Sequence, residues 1–144
     1  MSRLQIEIAG NRVSFAGRID ESAQLAPVVG QLPAGPVALV PEGVTFVNSV
    51  GLREWIRFLR ALRETGRTVT LERVADVLMT QMNLIGELRG LAITSFHAQY
   101  ECPTCRHEEQ PLVDATLPAV ACVECGSPMQ LADFPERYLT IFRS

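Results

Sequence analysis

The chain has 144 residues, 47% hydrophobic and 20% charged, with a net charge of −3. Those values fit one domain or one domain with a small appendage, and they exclude a disordered or membrane-embedded chain. No apolar run approaches the roughly 20 residues that span a bilayer. The opening MSRLQIEIAG has no apolar core of signal-peptide length, so a soluble, cytoplasmic protein is expected.

The elements alternate between two periods. Residues 4–9 (LQIEIA) and 12–19 (RVSFAGRI) read as paired strands around a Gly10-Asn11 turn. Asp20, Glu21 and Ser22 can open a helix running to about Leu32, and Gly35-Pro36 breaks the chain. VALV at 37–40 is a buried strand pattern, and VTFV leads on into Asn48, Ser49, Val50 and Gly51. Leu52, Trp55, Ile56, Leu59 and Leu62 then fall at helical spacing, with Gly66 placed for a left-handed cap. A strand at 68–72, a helix marked by Leu78, Met82, Ile85 and Leu88 and closed by Gly90, and a strand at 91–96 complete this part. The order β-β-α-β-α-β-α-β predicts an α/β fold, a mixed sheet flanked by helices, over residues 1–97.

Residues 98–144 form a second unit. It carries 3 Arg against 7 acidic residues, five of the nine prolines, and all four cysteines. A segment of this size buries little core and needs a staple. The cysteines supply one. Cys102-Pro-Thr-Cys105 and Cys122-Val-Glu-Cys125 stand sixteen residues apart, the spacing of two metal-binding knuckles. Without an export signal this favours a metal over disulfides. Four soft thiolates suit a structural Zn2+, and with four ligands no position is left open for a catalytic water. Iron or a redox pair is the rival use of the same residues, although Arg106 stands where a rubredoxin-like knuckle usually has glycine. Gly126 allows the sharp turn after Cys125. His107 is read as a surface residue. The segment 98–132 resembles a zinc ribbon. The ending LADFPERYLTIF gathers Phe134, Tyr138, Leu139, Ile141 and Phe142 into an apolar cluster. It is expected to pack on the ribbon, the first domain or another chain.

Three stretches of the first part, FAGRIDESAQL, VALVPEGVTFVNSVGLREW and GRTVTLERV, resemble the STAS domain of anti-sigma-factor antagonists and sulfate transporters. The resemblance covers residues 4 to about 96. It implies a cytoplasmic signalling adaptor that docks on a protein partner, in some members a kinase that phosphorylates the serine directly before a glycine in an Asp-Ser-Ser-Gly-like motif. Carried over, that motif reads Asn48-Ser49-Val50-Gly51. Valine occupies the acceptor position, so the resemblance implies a docking loop without the usual phosphoswitch. Ser49 either caps the following helix or takes a phosphate in place of residue 50.

Arg53, Arg57 and Arg60 recur along the helix opposite its apolar stripe. They form an ordinary solvated face or a contact for an acidic partner. The acidic ribbon is one such partner, reached within the chain or across a symmetric homodimer. The leading expectation is a non-enzymatic interaction or regulatory module with one structural Zn2+. The alternatives are a nucleic-acid-associated regulator using the ribbon, disfavoured by its acidic charge, and a small-ligand sensor. No catalytic residues are predicted.

Overall fold

The computed structural model describes residues 3–142. Strand β1 (Gln5–Ala9) turns at Gly10, whose φ of 64° suits glycine, and returns antiparallel as β2 (Arg12–Ile19). The alternation in β2 is clean. Val13, Phe15 and Ile19 are buried, while Arg12 and Ala16 face outward.

Helix α1 (Ala26–Gln31) starts later than Asp20, the expected N-terminus. Asp20 instead closes a local turn, its Oδ1 accepting from the Ser22 backbone N–H (3.0 Å) and hydroxyl (2.6 Å). These bonds, with the guanidinium of Arg18 at 3.1 Å, hold the Asp20 carboxyl below its usual range. An Asx turn competes directly with a helix N-terminus for the same side chain, and here the turn wins.

Strand β3 (Val37–Val47) is a single 11-residue strand that joins VALV to VTFV through Pro41 and Gly43. It runs parallel to β2, with register shifts between Ser14 and Ala16 and between Gly17 and Arg18. These irregularities accommodate the proline, which cannot donate to a ladder. A Cβ at Gly43 would press on Ala16, so the strands approach closely there.

Helix α2 (Ser49–Glu64) buries Trp55, Phe58, Leu59 and Leu62. Each contributes about 2 kcal/mol relative to exposure. Trp55 meets Phe15 edge-on at a centroid distance of 5.1 Å, and Phe58 completes the aromatic cluster. Gly66 ends the helix at φ 82°. Strands β4 (Val69–Leu71) and β5 (Ala92–Ile93) add in parallel, giving a five-stranded mixed sheet in the order β1-β2-β3-β4-β5.

Helix α3 (Asp76–Met82) is shorter than its apolar spacing predicts. It stops at Asn83, which is buried and bonded elsewhere. Asn83 donates to the Glu136 carbonyl (2.7 Å) and accepts from the Ile141 N–H (2.8 Å). A 3₁₀ turn at Gly86–Leu88 carries the rest of the predicted helix.

The expected strand at 91–96 also divides. Ala92 and Ile93 join the main sheet, whereas β6 (Phe96–His97) pairs with β9 (Leu112–Val113). The second sheet is antiparallel, in the order β10-β11-β7-β8. Its strands are β7 (Tyr100–Glu101), β8 (Glu108–Glu109), β10 (Val120–Ala121) and β11 (Pro128–Leu131). Helix α4 (Glu136–Leu139) and a 3₁₀ turn at Thr140–Phe142 close against α3. The residues on either side of position 97 share one core, in which Phe96 stacks on Tyr138 at 5.7 Å and Tyr100, Cys102 and Met129 are buried. Of the terminal apolar cluster, Tyr138 and Ile141 are buried and Phe142 lies 6.0 Å from Phe96, but Phe134 is 75% exposed.

Candidate metal centre and motif loop

The two cysteine knuckles adopt the same backbone geometry. In the first, the Cys102 N–H donates to the His107 carbonyl (2.8 Å) and the Arg106 N–H donates back to Cys102 (2.9 Å). In the second, the Cys122 N–H donates to Ser127 (2.8 Å) and the Gly126 N–H to Cys122 (2.8 Å). Both turns need a left-handed residue after the second cysteine, and it is Arg106 at φ 67° and Gly126 at φ 79°. The departure at Arg106 therefore leaves the turn intact and puts an arginine in a glycine conformation.

The turns bring all four Sγ atoms within 4.8 Å of one another. Cys102 and Cys125 approach to 3.5 Å, and Cys105 and Cys122 to 3.7 Å. These are not disulfide distances. A tetrahedron with metal–sulfur bonds of about 2.3 Å places its sulfurs about 3.8 Å apart, so the spacing is compatible with a metal site. Donor chemistry agrees. Hydrogen bonds from the Ser127 side chain and backbone draw the Cys125 thiol down to about 6. At Cys105 the His107 amide pulls downward, but burial and the adjacent thiols push the group up to about 12. Four thiols this close do not ionise together on their own charge. A divalent cation at their centre removes that obstacle.

In the motif loop, Asn48 and not Ser49 caps α2. The Asn48 Oδ1 accepts from the Gly51 N–H (2.8 Å), and its Nδ2 donates to Glu21 (2.9 Å). Ser49 is the first helical residue and is exposed. Val50 is 42% exposed. Gly51 is buried against the end of β2, where a Cβ would overlap the carbonyl of Ile19 and the amide of Asp20. The loop is thus clamped on one side and presents Ser49 and Val50 on the other.

The basic row is partly neutralised by its neighbours. Arg57 pairs with Glu54 and Arg60 with Glu87, both at 2.7 Å, and the partner of Arg60 lies in the 3₁₀ turn and not in the cysteine-bearing segment. No ion pair joins Arg53 to another group among the described residues, and none among them links this row to the cysteine-bearing segment.

A polar cluster that the sequence does not announce lies beside the middle of β3, just past the carboxyl ends of β4 and β5. Glu42 binds Arg73 through both carboxylate oxygens (2.9 Å each) and His97 Nε2 through Oε2 (2.7 Å). His97 Nδ1 lies 2.6 Å from the Gln110 carbonyl and donates to it. His97 therefore ties β3 to the segment around Gln110. Arg73 first, and His97 second, hold the Glu42 carboxyl below its ordinary range. Arg73 sits at φ 53°, with its N–H on Ser95 Oγ. Beside this cluster opens a cleft of about 490 Å³ lined by Thr45, Asp76, Val77, His97 and Gln110. Glu42, Arg73 and His97 come from separate parts of the chain, and nothing in their spacing links them.

No helix among the described residues is long and apolar enough to cross a membrane. No protein-family model matches the chain, and no curated protein or solved structure matches it either.

Proposed function

We propose that this protein is a non-enzymatic interaction module. In this reading a STAS-like α/β domain docks on a protein partner through the Asn48–Gly51 loop and α2, and a ribbon held by one structural Zn2+ extends the surface. The motif loop carries the reading. Its backbone is fixed by the Asn48 cap and by the close approach of Gly51 to β2, and its two solvent-facing residues are Ser49 and Val50. A rigid loop with an exposed apolar side chain binds at low entropic cost. Valine has no hydroxyl, so docking here is not released by phosphorylation at residue 50. The strand order, an antiparallel pair followed by three parallel additions, also supports the reading. Zinc is favoured over iron because four thiolates at this spacing make a closed tetrahedral site of the kind zinc staples in small domains.

The test is a comparison of Val50→Asp and Val50→Ser with the wild type for binding to the partner recovered from the native source. Binding lost with aspartate and kept with serine supports docking through this face. Equal binding by all three sinks it. Intact-mass measurement under native conditions reports the metal, and a phosphate carried stoichiometrically on Ser49 would show that the loop is a switch after all.

One observation favours a second reading, a small-ligand sensor. The cleft beside Glu42 and His97 lies where open parallel sheets commonly receive ligands. The same native mass spectrum tests it, since a bound small molecule appears as additional mass beside the metal.

A further inference from the structure

The four sulfurs are not equivalent. Cys102 and Cys122 are buried at 0% and 3% exposure, whereas Cys105 and Cys125 are exposed. Both close sulfur contacts cross between the knuckles, and each joins one buried sulfur to one exposed sulfur. Cys102 meets Cys125 at 3.5 Å, and Cys122 meets Cys105 at 3.7 Å. From this pairing we infer that the centre is a site of hydroperoxide oxidation, in which the metal staple is exchanged for two cross-knuckle disulfides, Cys102–Cys125 and Cys105–Cys122. The inference rests on the reading of the four thiolates as a metal centre.

The chemistry divides by exposure. A hydroperoxide reaches the exposed sulfurs, Cys125 among them, before the buried ones. The sulfur bonds to the terminal oxygen, the O–O bond breaks, and the remaining oxygen leaves as alcohol, or as water from hydrogen peroxide, after taking up a proton. The product is a sulfenic acid on Cys125. The Cys102 thiolate attacks that sulfur from the buried side, the S–S bond forms, and the S–O bond breaks to release hydroxide. Two thiolates have each given up one electron, and one peroxide has been reduced. Cys105 and Cys122 repeat the sequence with a second peroxide. With all four sulfurs in disulfides, no thiolate would remain to hold a cation.

Pairing decides the structural outcome. A disulfide needs sulfurs at about 2.05 Å, so each cross-knuckle pair closes by about 1.5 Å. Such bonds tie the segment around residue 102 to the segment around residue 125, as the metal did. Bonds within each Cys-x-x-Cys turn close only two small rings and leave the knuckles unlinked. The core on either side of the centre, including Cys102, Cys122 and Met129, stays together in the first case alone.

The experiment treats the zinc-loaded wild-type chain with hydrogen peroxide. Released metal is followed with a chromogenic chelator, the disulfides are mapped by mass spectrometry of non-reduced peptides, and the thermal transition of the oxidised product is recorded. The expected result is one zinc freed per two peroxides consumed, both disulfides crossing between knuckles, and a retained cooperative transition. Disulfides within the knuckles overturn the inference. So do sulfinic acids on Cys105 and Cys125 with Cys102 and Cys122 still reduced, or full retention of metal in a large excess of peroxide. A chain purified without metal refutes the metal reading alone, and direct oxidation of its free thiols then still decides the pairing.

Discussion

Three residues take unusual backbone roles, and each makes a separate demand on stability. Gly51 has no room for a side chain because the first turn of α2 lies on the backbone between Ile19 and Asp20. Gly51→Ala is expected to cost about 3 kcal/mol, since backbone and not a flexible side chain would have to move. A urea titration followed by the fluorescence of Trp55 measures it. Arg106 carries the opposite expectation. Its left-handed φ of 67° is costly for a residue with a Cβ, and its ion pair with Glu101 (3.1 Å) is largely exposed. Arg106→Gly should therefore stabilise the metal-bound protein by about 1 kcal/mol, read as a higher denaturant midpoint, and should leave metal affinity unchanged or improved. Arg73, like Arg106, has a left-handed backbone, at φ 53°, and is held there by Ser95 and Glu42. The glycine requirement at Gly51 was legible as part of a motif. The conformation of Arg73 was not, because arginine gives no sign of a positive φ in sequence, and at Arg106 the only sign was its place where a rubredoxin-like knuckle usually has glycine.

Among the elements, those with long, regular periodicity were read best. The first hairpin and α2 follow from alternation and from a helical apolar stripe, and their neighbours reinforce that local preference. The elements that came out differently are those whose polar residues are used over long distances. Asn83 ends α3 because it serves the carbonyl of Glu136 and the amide of Ile141, more than fifty residues away. The split after Ile93 follows from Ser95 turning back to Arg73 and Val74. Tyr138 is the most buried of these links. Its hydroxyl donates to Asp76 (2.5 Å) and accepts from the Gln99 amide (2.9 Å). Burial, reinforced by Asp76, pushes this phenol up to about 12 from an ordinary 10.0. The folded state thus holds the proton that the unfolded chain loses first. The resulting stability is complete below pH 10 and declines between pH 10 and 12 by about 2 kcal/mol. Alkaline denaturation of wild type and Tyr138→Phe compares the two directly. The variant should be less stable at neutral pH and show a shallower loss across that interval.

For the whole molecule, the shared core predicts how the parts respond to loss of metal. Cys102 and Cys122 belong to the same buried cluster as Phe96, Tyr100 and Tyr138, and those residues rest on α3 and the main sheet. Removal of the cation by a strong chelator at neutral pH should therefore lower the melting temperature of the entire chain in one transition. Two independent melts, with the α/β part unchanged, would refute that coupling. Calorimetry distinguishes the outcomes. Acidification should release the metal in the same way, because protons compete for the thiolates. The four-cysteine site was plain in the sequence, as local spacing sets it. Its attachment to the α/β part was not, because Glu42, His97 and Gln110 meet only through the fold. The Tyr138–Asp76 bond has a further consequence in time. The two residues lie 62 positions apart. At a synthesis rate of about 5–20 residues per second, the ribosome makes Tyr138 roughly 3–12 s after Asp76. Through that interval α3 has no cover from α4. Until α4 is made, α3 can settle only on β3 and the other elements already synthesised, so the Tyr138–Asp76 bond is among the last to close on the nascent chain.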